Sequence, residues 1–237
     1  MGIITYDTLR SFTYSNDALI TGAVNGIAVS FMGLGGSAMY AEDPDLGVRL
    51  AGRGIIYLIP YLDPWNWMND QAVAYTDEII NVLFEKYALP EGLPVVASGG
   101  SMGGLCALVY TRYARRTPRA CVTNCPVCDA AYHFTERPDL PRTFYAAFGT
   151  AADFDAALKA HSPMHLVDSM PDVRYIQFHC GADQAVNKAM HSDRFVAAMR
   201  GSHRIEYHEV PGRGHCDLDE ENKKLYEDLI ADSALGR

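Results

Sequence analysis

From Ile27 onward the chain alternates short, almost continuously apolar runs with longer stretches of helical period, and few folds accept that alternation. Short runs without a polar face suit strands covered on both sides, and the stretches between them supply the cover, as in a parallel sheet wrapped by helices. Strands are expected at 27–31, 54–59, 94–98, 120–123, 173–179 and 204–210. Between 71 and 87, Val73, Ile80, Leu83, Phe84 and Tyr87 recur on one side at helical spacing, while Asp77, Glu78, Glu85 and Lys86 fall elsewhere. That is the pattern of a surface helix. Further helices are expected at 102–115, 188–200 and 219–231, the last opening with Asp219, Glu220 and Glu221, which suit the positive end of a helix dipole.

Two segments depart from the alternation. The stretch FTYSNDALI before Ile27 carries an Asn16-Asp17 turn signal between two apolar pieces, which predicts a hairpin of antiparallel edge strands. The stretch 129–165, with Pro138, Pro141 and Pro163 and several aromatics, lacks a strand pattern and reads as a small inserted helical cap. No repeat or flexible linker interrupts the chain, so a single domain over 1–237 is expected, with a mostly parallel central sheet and helices on both faces.

Composition narrows the partners. A hydrophobic share of 49% and a charged share of 21% are ordinary for a self-folding chain. A formal net charge of -9 argues against a nucleic-acid partner, whose phosphates draw clustered Lys and Arg. The one basic cluster, Arg112, Arg115, Arg116 and Arg119, reads as the solvated face of a helix. The segment MGIITYDTLR lacks the features of a secretory signal, and no apolar run has bilayer-spanning length, so no membrane partner is expected. Six cysteines are too sparse for a disulfide scaffold, which points to reduced thiols and a cytoplasmic location. A homo-oligomer stays open.

The sharpest chemical signal is PVVASGGSMGG, in which Gly99-Gly100-Ser101-Met102-Gly103 fits G-x-S-x-G between an apolar strand and a helix. Such an elbow places Ser101 on a strained turn at a helix N-terminus, with the Met102 N–H aimed at a developing oxyanion. The plain alternative is a glycine-rich turn whose serine caps a helix. A serine hydroxyl needs a base within reach and a third group to hold that base. His215 follows the last expected strand in the loop PGRGHCD, and Asp183 follows the strand before it in CGADQAVN. The order Ser101, Asp183, His215 gives nucleophile, orienting acid and general base, each just past a strand. Asp129 is the rival acid at the end of ACVTNCPVCD, and Asp217 lies too close to His215 in sequence to serve, though it suits a cap for the last helix.

The loop after 27–31 reads Met32-Gly33-Leu34-Gly35-Gly36-Ser37, and the backbone N–H of Gly33 or Leu34 is the candidate second oxyanion donor. Gly33, Gly35 and Ala38 also match G-x-G-x-x-A, which raises an NAD(P)-binding reductase as a distant alternative. Such a site wants an acid at the end of the next strand, and Arg53 stands in that region, so no cofactor is expected. No metal is expected either: Cys125-x-x-Cys128 lacks the second half of a zinc site, and Pro163 between His161 and His165 spoils a helical pair. Tyr61, Trp65 and Trp67 leave a strand at the site's edge and are candidate substrate-binding residues; the two tryptophans serve equally well to pack the cap.

Over nearly its whole length the chain resembles the α/β-hydrolase superfamily, most closely its dienelactone-hydrolase and prolyl-oligopeptidase-like esterase branches. The residues that carry this are Gly99 to Gly104 at the elbow, Ser162-Pro163, Gly181 to Asp183 and Gly212 to His215. Met32 departs from the pattern, since many relatives place a histidine before the oxyanion glycine. The chain also lacks the large propeller of the prolyl oligopeptidases. The resemblance implies a serine hydrolase acting through an acyl-enzyme on a small-molecule ester of small to medium apolar or aryl type. A serine peptidase acting on a short peptide is the alternative, and a non-catalytic binding protein is a distant one.

Overall fold

The computed structural model describes residues 4–237, so the first three residues of the expected domain and N-terminal segment lie outside the described residues. Seven strands and nine helices follow one another in the described chain. The first half contains β1 (Thr13–Ser15), β2 (Gly26–Phe31), α1 (Asp45–Ala51), β3 (Ile55–Pro60), α2 (Asp70–Lys86), β4 (Val95–Gly100), α3 (Met102–Tyr113) and β5 (Ala120–Asn124). Four short helices come next: α4 (Ala130–Glu136), α5 (Pro141–Phe148), α6 (Phe154–Ala160) and α7 (Pro163–Leu166). The chain closes with β6 (Arg174–Cys180), α8 (Arg194–Met199), β7 (Ile205–Val210) and α9 (Glu220–Ala234).

The strands form one sheet in the order β1-β3-β2-β4-β5-β6-β7, parallel except for β1. Because strand side chains alternate between faces, each apolar run feeds two cores. Ile27, Val29, Phe31, Ile56, Leu58 and Ala97 pack on one side beneath α2, α3 and the cap. Ala28, Ile55, Tyr57, Ile59, Val96 and Val122 pack on the other, beneath α1 and α9. This double cover is why β2 to β5 show almost no polar periodicity. Edge strand β7 is covered less completely, and its exposed Glu206 and Glu209 break the apolar run accordingly.

The expected hairpin is corrected. Only β1 forms, and it pairs antiparallel with β3 rather than with a second arm. Asn16 is buried and replaces the missing arm with side-chain bonds: its amide donates to the carbonyls of Gly47 and Ile55 and accepts from the Tyr57 N–H. Asp17 turns inward to accept from the hydroxyls of Tyr6 and Tyr87. The dipeptide thus holds the sheet edge through buried polar bonds, and the chain after it forms a 3₁₀ turn instead of a strand.

The predicted basic helix face is also revised. Helix α3 ends at Tyr113, the Arg115 N–H donates to the Asp77 carboxylate, and the Arg116 guanidinium lies 4.2 Å over the Phe84 ring. The stretch expected as one helix at 188–200 divides into a π-type turn, Ala189–Asp193, and α8. Helix α1 was not anticipated from the sequence. Asp219, not Asp217, caps α9, accepting from the Asn222 N–H at 2.9 Å.

The segment expected as a cap, 129–165, is helical and carries α4, α5, α6 and the start of α7. Trp67 anchors it: the indole is buried, stacks on Phe144 with centroids 4.0 Å apart, and donates its N–H to Thr143 Oγ1 at 3.0 Å. No helix among the described residues is long and apolar enough to cross a membrane, and all six cysteines are unpaired.

Candidate active site

Strand order reverses at β2, whose neighbours β3 and β4 lie on opposite sides. Such a reversal opens a crevice at the carboxyl ends of the strands. The register Phe31 to Gly99 sets the loop after β2 beside the turn after β4. A Cβ on Gly33 would lie 3.9 Å from the Ser101 Cβ, so the two loops face each other at close range.

Ser101 occupies that turn with φ 58° and ψ -126°, a backbone conformation disfavoured for residues with a side chain. Neighbouring bonds hold it there. Its N–H donates to the Asn124 carbonyl at 3.0 Å, and its own carbonyl accepts from Gly104, Leu105 and Val127. Glycine is required on both sides by close approach, since a Cβ on Gly99 would overlap the Gly103 carbonyl and one on Gly103 would overlap that of Phe31. Met102 opens α3, so its N–H has no intrahelical carbonyl to bond.

The loops after β6 and β7 are tied to each other, with the Gly181 N–H on the Val210 carbonyl and the Ala182 N–H on that of Arg213. This brings His215 Nδ1 within 2.7 Å of Asp183 Oδ2. The Asp183 carboxylate is fully buried and accepts through Oδ1 from the N–H groups of Ala185 and Val186. Burial alone would raise its pKa, but the nearby His179 imidazole and the hydrogen bonds from His215 and these two amides drive it well below the ordinary carboxylate range. Burial pulls His215 down, and its bond to the Asp183 carboxylate, with help from Cys125, outweighs it and lifts the imidazole to about 9. The pair therefore favours carboxylate beside imidazolium.

Ser101, His215, Gly33, Leu34 and Trp67 line one cavity of about 520 Å³, together with Gly100, Cys216, His133, Arg137, Ala185 and Val186. Asp183 stands behind His215, outside this lining. Among the described residues no hydrogen bond joins Ser101 Oγ to His215; the imidazole Nε2 lies 3.8 Å from Cys216 Sγ. Such bonds are often open before substrate arrives.

Two expected substrate contacts stand elsewhere. The Tyr61 hydroxyl accepts from the Tyr40 N–H, and Trp65 lies under the Arg142 guanidinium, 5.3 Å from its ring centroid. Neither is part of the cavity wall, because the loop turns Trp67 inward and leaves Trp65 at its outer side. Asp129, the rival acid, caps α4 through the Tyr132 N–H and faces Arg194.

Sequence reasoning passed over His179. Fully buried on β6, it points Nε2 at Asp183 Oδ2 from 3.4 Å and holds Ser192 through Nδ1. Its position four residues before Asp183 was the available signal. His133 and Arg137 come from the cap, whose approach to the sheet no local pattern encodes.

No protein-family model matches the sequence, and no curated protein does. Solved structures do. An S-formylglutathione hydrolase from Agrobacterium tumefaciens superposes with a TM-score of 0.70 at 14% identity, covering 90% of this chain and 84% of that one. Esterase B from Lactobacillus rhamnosis gives 0.69 at 11%, with 92% and 79% covered, and esterase 2 of Thermogutta terrifontis gives 0.65 at 20%, with 93% and 87% covered. With the strand order, the turn geometry and these superpositions in agreement, the chain has the α/β-hydrolase fold.

Proposed function

We propose that the chain is a serine hydrolase that cleaves carboxylic esters through an acyl-enzyme intermediate. One observation carries this reading: a strained serine at a helix N-terminus and a carboxylate-held imidazole open onto the same cavity. The likeness to the two esterases and to the S-formylglutathione hydrolase supports it at the level of fold.

In this mechanism the Ser101 hydroxyl rotates toward His215 Nε2 and attacks the acyl carbonyl while the imidazole takes its proton. The oxyanion is held by the Met102 N–H and by that of Gly33 or Leu34. His215 returns the proton to the leaving alcohol, then activates water to release the acid. Asp183 holds the Nδ1 proton and stabilises the imidazolium. The apolar wall of Leu34, Trp67, Ala185 and Val186 suits a small to medium apolar or aryl group. The second reading, a peptidase on short peptides, uses the same machinery on an amide.

A panel of p-nitrophenyl esters beside aminoacyl-p-nitroanilides separates the two. The expected outcome is turnover of short esters and little of the anilides, with Ser101→Ala lowering kcat by roughly six orders of magnitude. Ester turnover that survives this substitution removes the proposal, and preference for the anilides installs the peptidase reading in its place.

A further inference from the structure

Three groups of metal-ligating atoms lie within 4.8 Å of one another among the described residues: Cys125, His215 and Cys216; Cys125, His179 and Asp183; and His133, Glu136 and His191. Lone pairs decide between them. His191 Nδ1 already accepts from the N–H groups of Cys128 and Asp129, so its Nε2 carries the ring proton and donates to Glu136. A metal at that nitrogen would require an imidazolate. In the second group the Asp183 oxygens are committed to His215 and to two backbone amides. The first group is different. His215 commits Nδ1 to Asp183, and its Nε2 has no committed partner, so it offers a lone pair once the imidazolium gives up that proton.

We propose that Cys125, His215 and Cys216 form a site for a thiophilic, tetrahedral divalent cation of the zinc type, and that its binding switches the hydrolase off. The separation of 3.8 Å between His215 Nε2 and Cys216 Sγ is close to the about 3.6 Å that zinc–nitrogen and zinc–sulfur bonds subtend at a tetrahedral angle. Cys125 Sγ accepts from the N–H groups of Cys180 and Cys216, at 3.3 and 3.4 Å; the Cys216 thiol and burial still hold its pKa up, so it is the bond to the metal that displaces the proton. Asp183 behind His215 is the carboxylate that commonly fixes a metal-bound imidazole. Cys216 is the one cysteine not fully buried, and it lines the cavity with His215 and Ser101. An ion can therefore enter from the cavity and keep its fourth position turned toward it.

Loading the site displaces three protons to solvent, those of the Cys125 and Cys216 thiols and the Nε2 proton of the imidazolium, and leaves two thiolates and one neutral imidazole on the dication, with no change of oxidation state. The Nε2 lone pair is then bound to metal and unable to accept the Ser101 proton. The inhibitory half of the proposal rests on His215 as the general base; the binding half does not. The obvious motif is misleading here. Cys128 turns its thiol to the Pro126 carbonyl and Gln177, and the partner of Cys125 is Cys216, 91 positions away.

Titration of the fully reduced chain with Co²⁺ tests binding without reference to activity. The expected result is one equivalent bound, with a thiolate-to-cobalt absorption band and the visible bands of tetrahedral cobalt. Both persist in Ser101→Ala, and the thiolate band falls by about half in Cys125→Ser and in Cys216→Ser. Absence of the band, or a band unchanged in both cysteine variants, overturns the site. In the second arm, Zn²⁺ suppresses p-nitrophenyl acetate hydrolysis and EDTA restores it, while the turnover of Cys216→Ser has lost at least tenfold in zinc sensitivity. Cobalt binding with undiminished turnover under saturating zinc contradicts the switch.

Discussion

Two clusters in this molecule set imidazoles around a buried or half-buried carboxylate, and they differ in what they leave free. Around Glu136, His133 Nδ1 and His191 Nε2 converge on the same oxygen at 2.6 and 3.1 Å, and His191 spends its other nitrogen on backbone amides. Around Asp183, His215 spends one nitrogen on the carboxylate and keeps the other at the cavity wall. The electrostatics diverge accordingly. Burial pushes His191 down to about 4, whereas His215 rises to about 9. Burial would raise Glu136, yet the bonds from His133 and His191 lower it to about 2. A carboxylate–imidazole pair becomes chemically useful only where the second ring nitrogen remains unspent beside a nucleophile; otherwise it fastens a cap helix.

The comparison breaks first at Asp183. Asp183→Asn leaves the fold intact but presents the wrong tautomer of His215, and kcat is expected to fall by roughly four orders of magnitude. In the parent chain kcat/KM climbs with pH until about 9 as the imidazole loses its proton, and steady-state rates across that range should show the inflection move down in the variant. A next effect sharpens the oxyanion loop: Gly33→Pro or Leu34→Pro removes one N–H, and the substitution that strikes the true donor should cost about two to three orders of magnitude in kcat with little change in KM.

The smallest effects belong to the structural cluster. Glu136→Gln sets an amide NH2 against either the Asn187 N–H or the two imidazoles and should lower unfolding free energy by about 1–3 kcal/mol, read from urea midpoints, with its effect on stability and not on the chemical step. The two histidines also bend stability in opposite directions. His215, raised above its ordinary 6.5, stabilises fully below that pH and loses the contribution as pH rises through about 9. His191, lowered to about 4, resists protonation in the fold, so stability falls as pH drops from 6.5 toward 4. Urea midpoints should peak near about 6.5, and His215→Gln should flatten the alkaline limb alone.

Much of this architecture is legible in the amino acids because it is local. The apolar runs mark strands covered on both faces, the glycines around Ser101 mark a turn that tolerates no side chain, and loops after two successive strands carry Asp183 and His215 to one edge of the sheet. What stayed hidden is tertiary. Asn16-Asp17 has the composition of an exposed turn, and only the sheet edge reveals that its polar atoms are buried. Tyr61, Trp65 and Trp67 share one loop, yet a change of backbone direction turns only Trp67 to the cavity, with φ 41° at that residue. The cap residues His133 and Arg137, and the meeting of Cys125 with Cys216, depend on contacts between segments that no periodicity connects.

Intact-mass spectrometry after rapid mixing with p-nitrophenyl acetate addresses the proposed chemistry most directly, because it asks which atom takes the acyl group. An increment of one acetyl per chain, mapped to the peptide bearing Ser101 and matched by a burst of p-nitrophenol, is the expected result. An unmodified Ser101 during active turnover, or acetyl found on Cys216 instead, would contradict it.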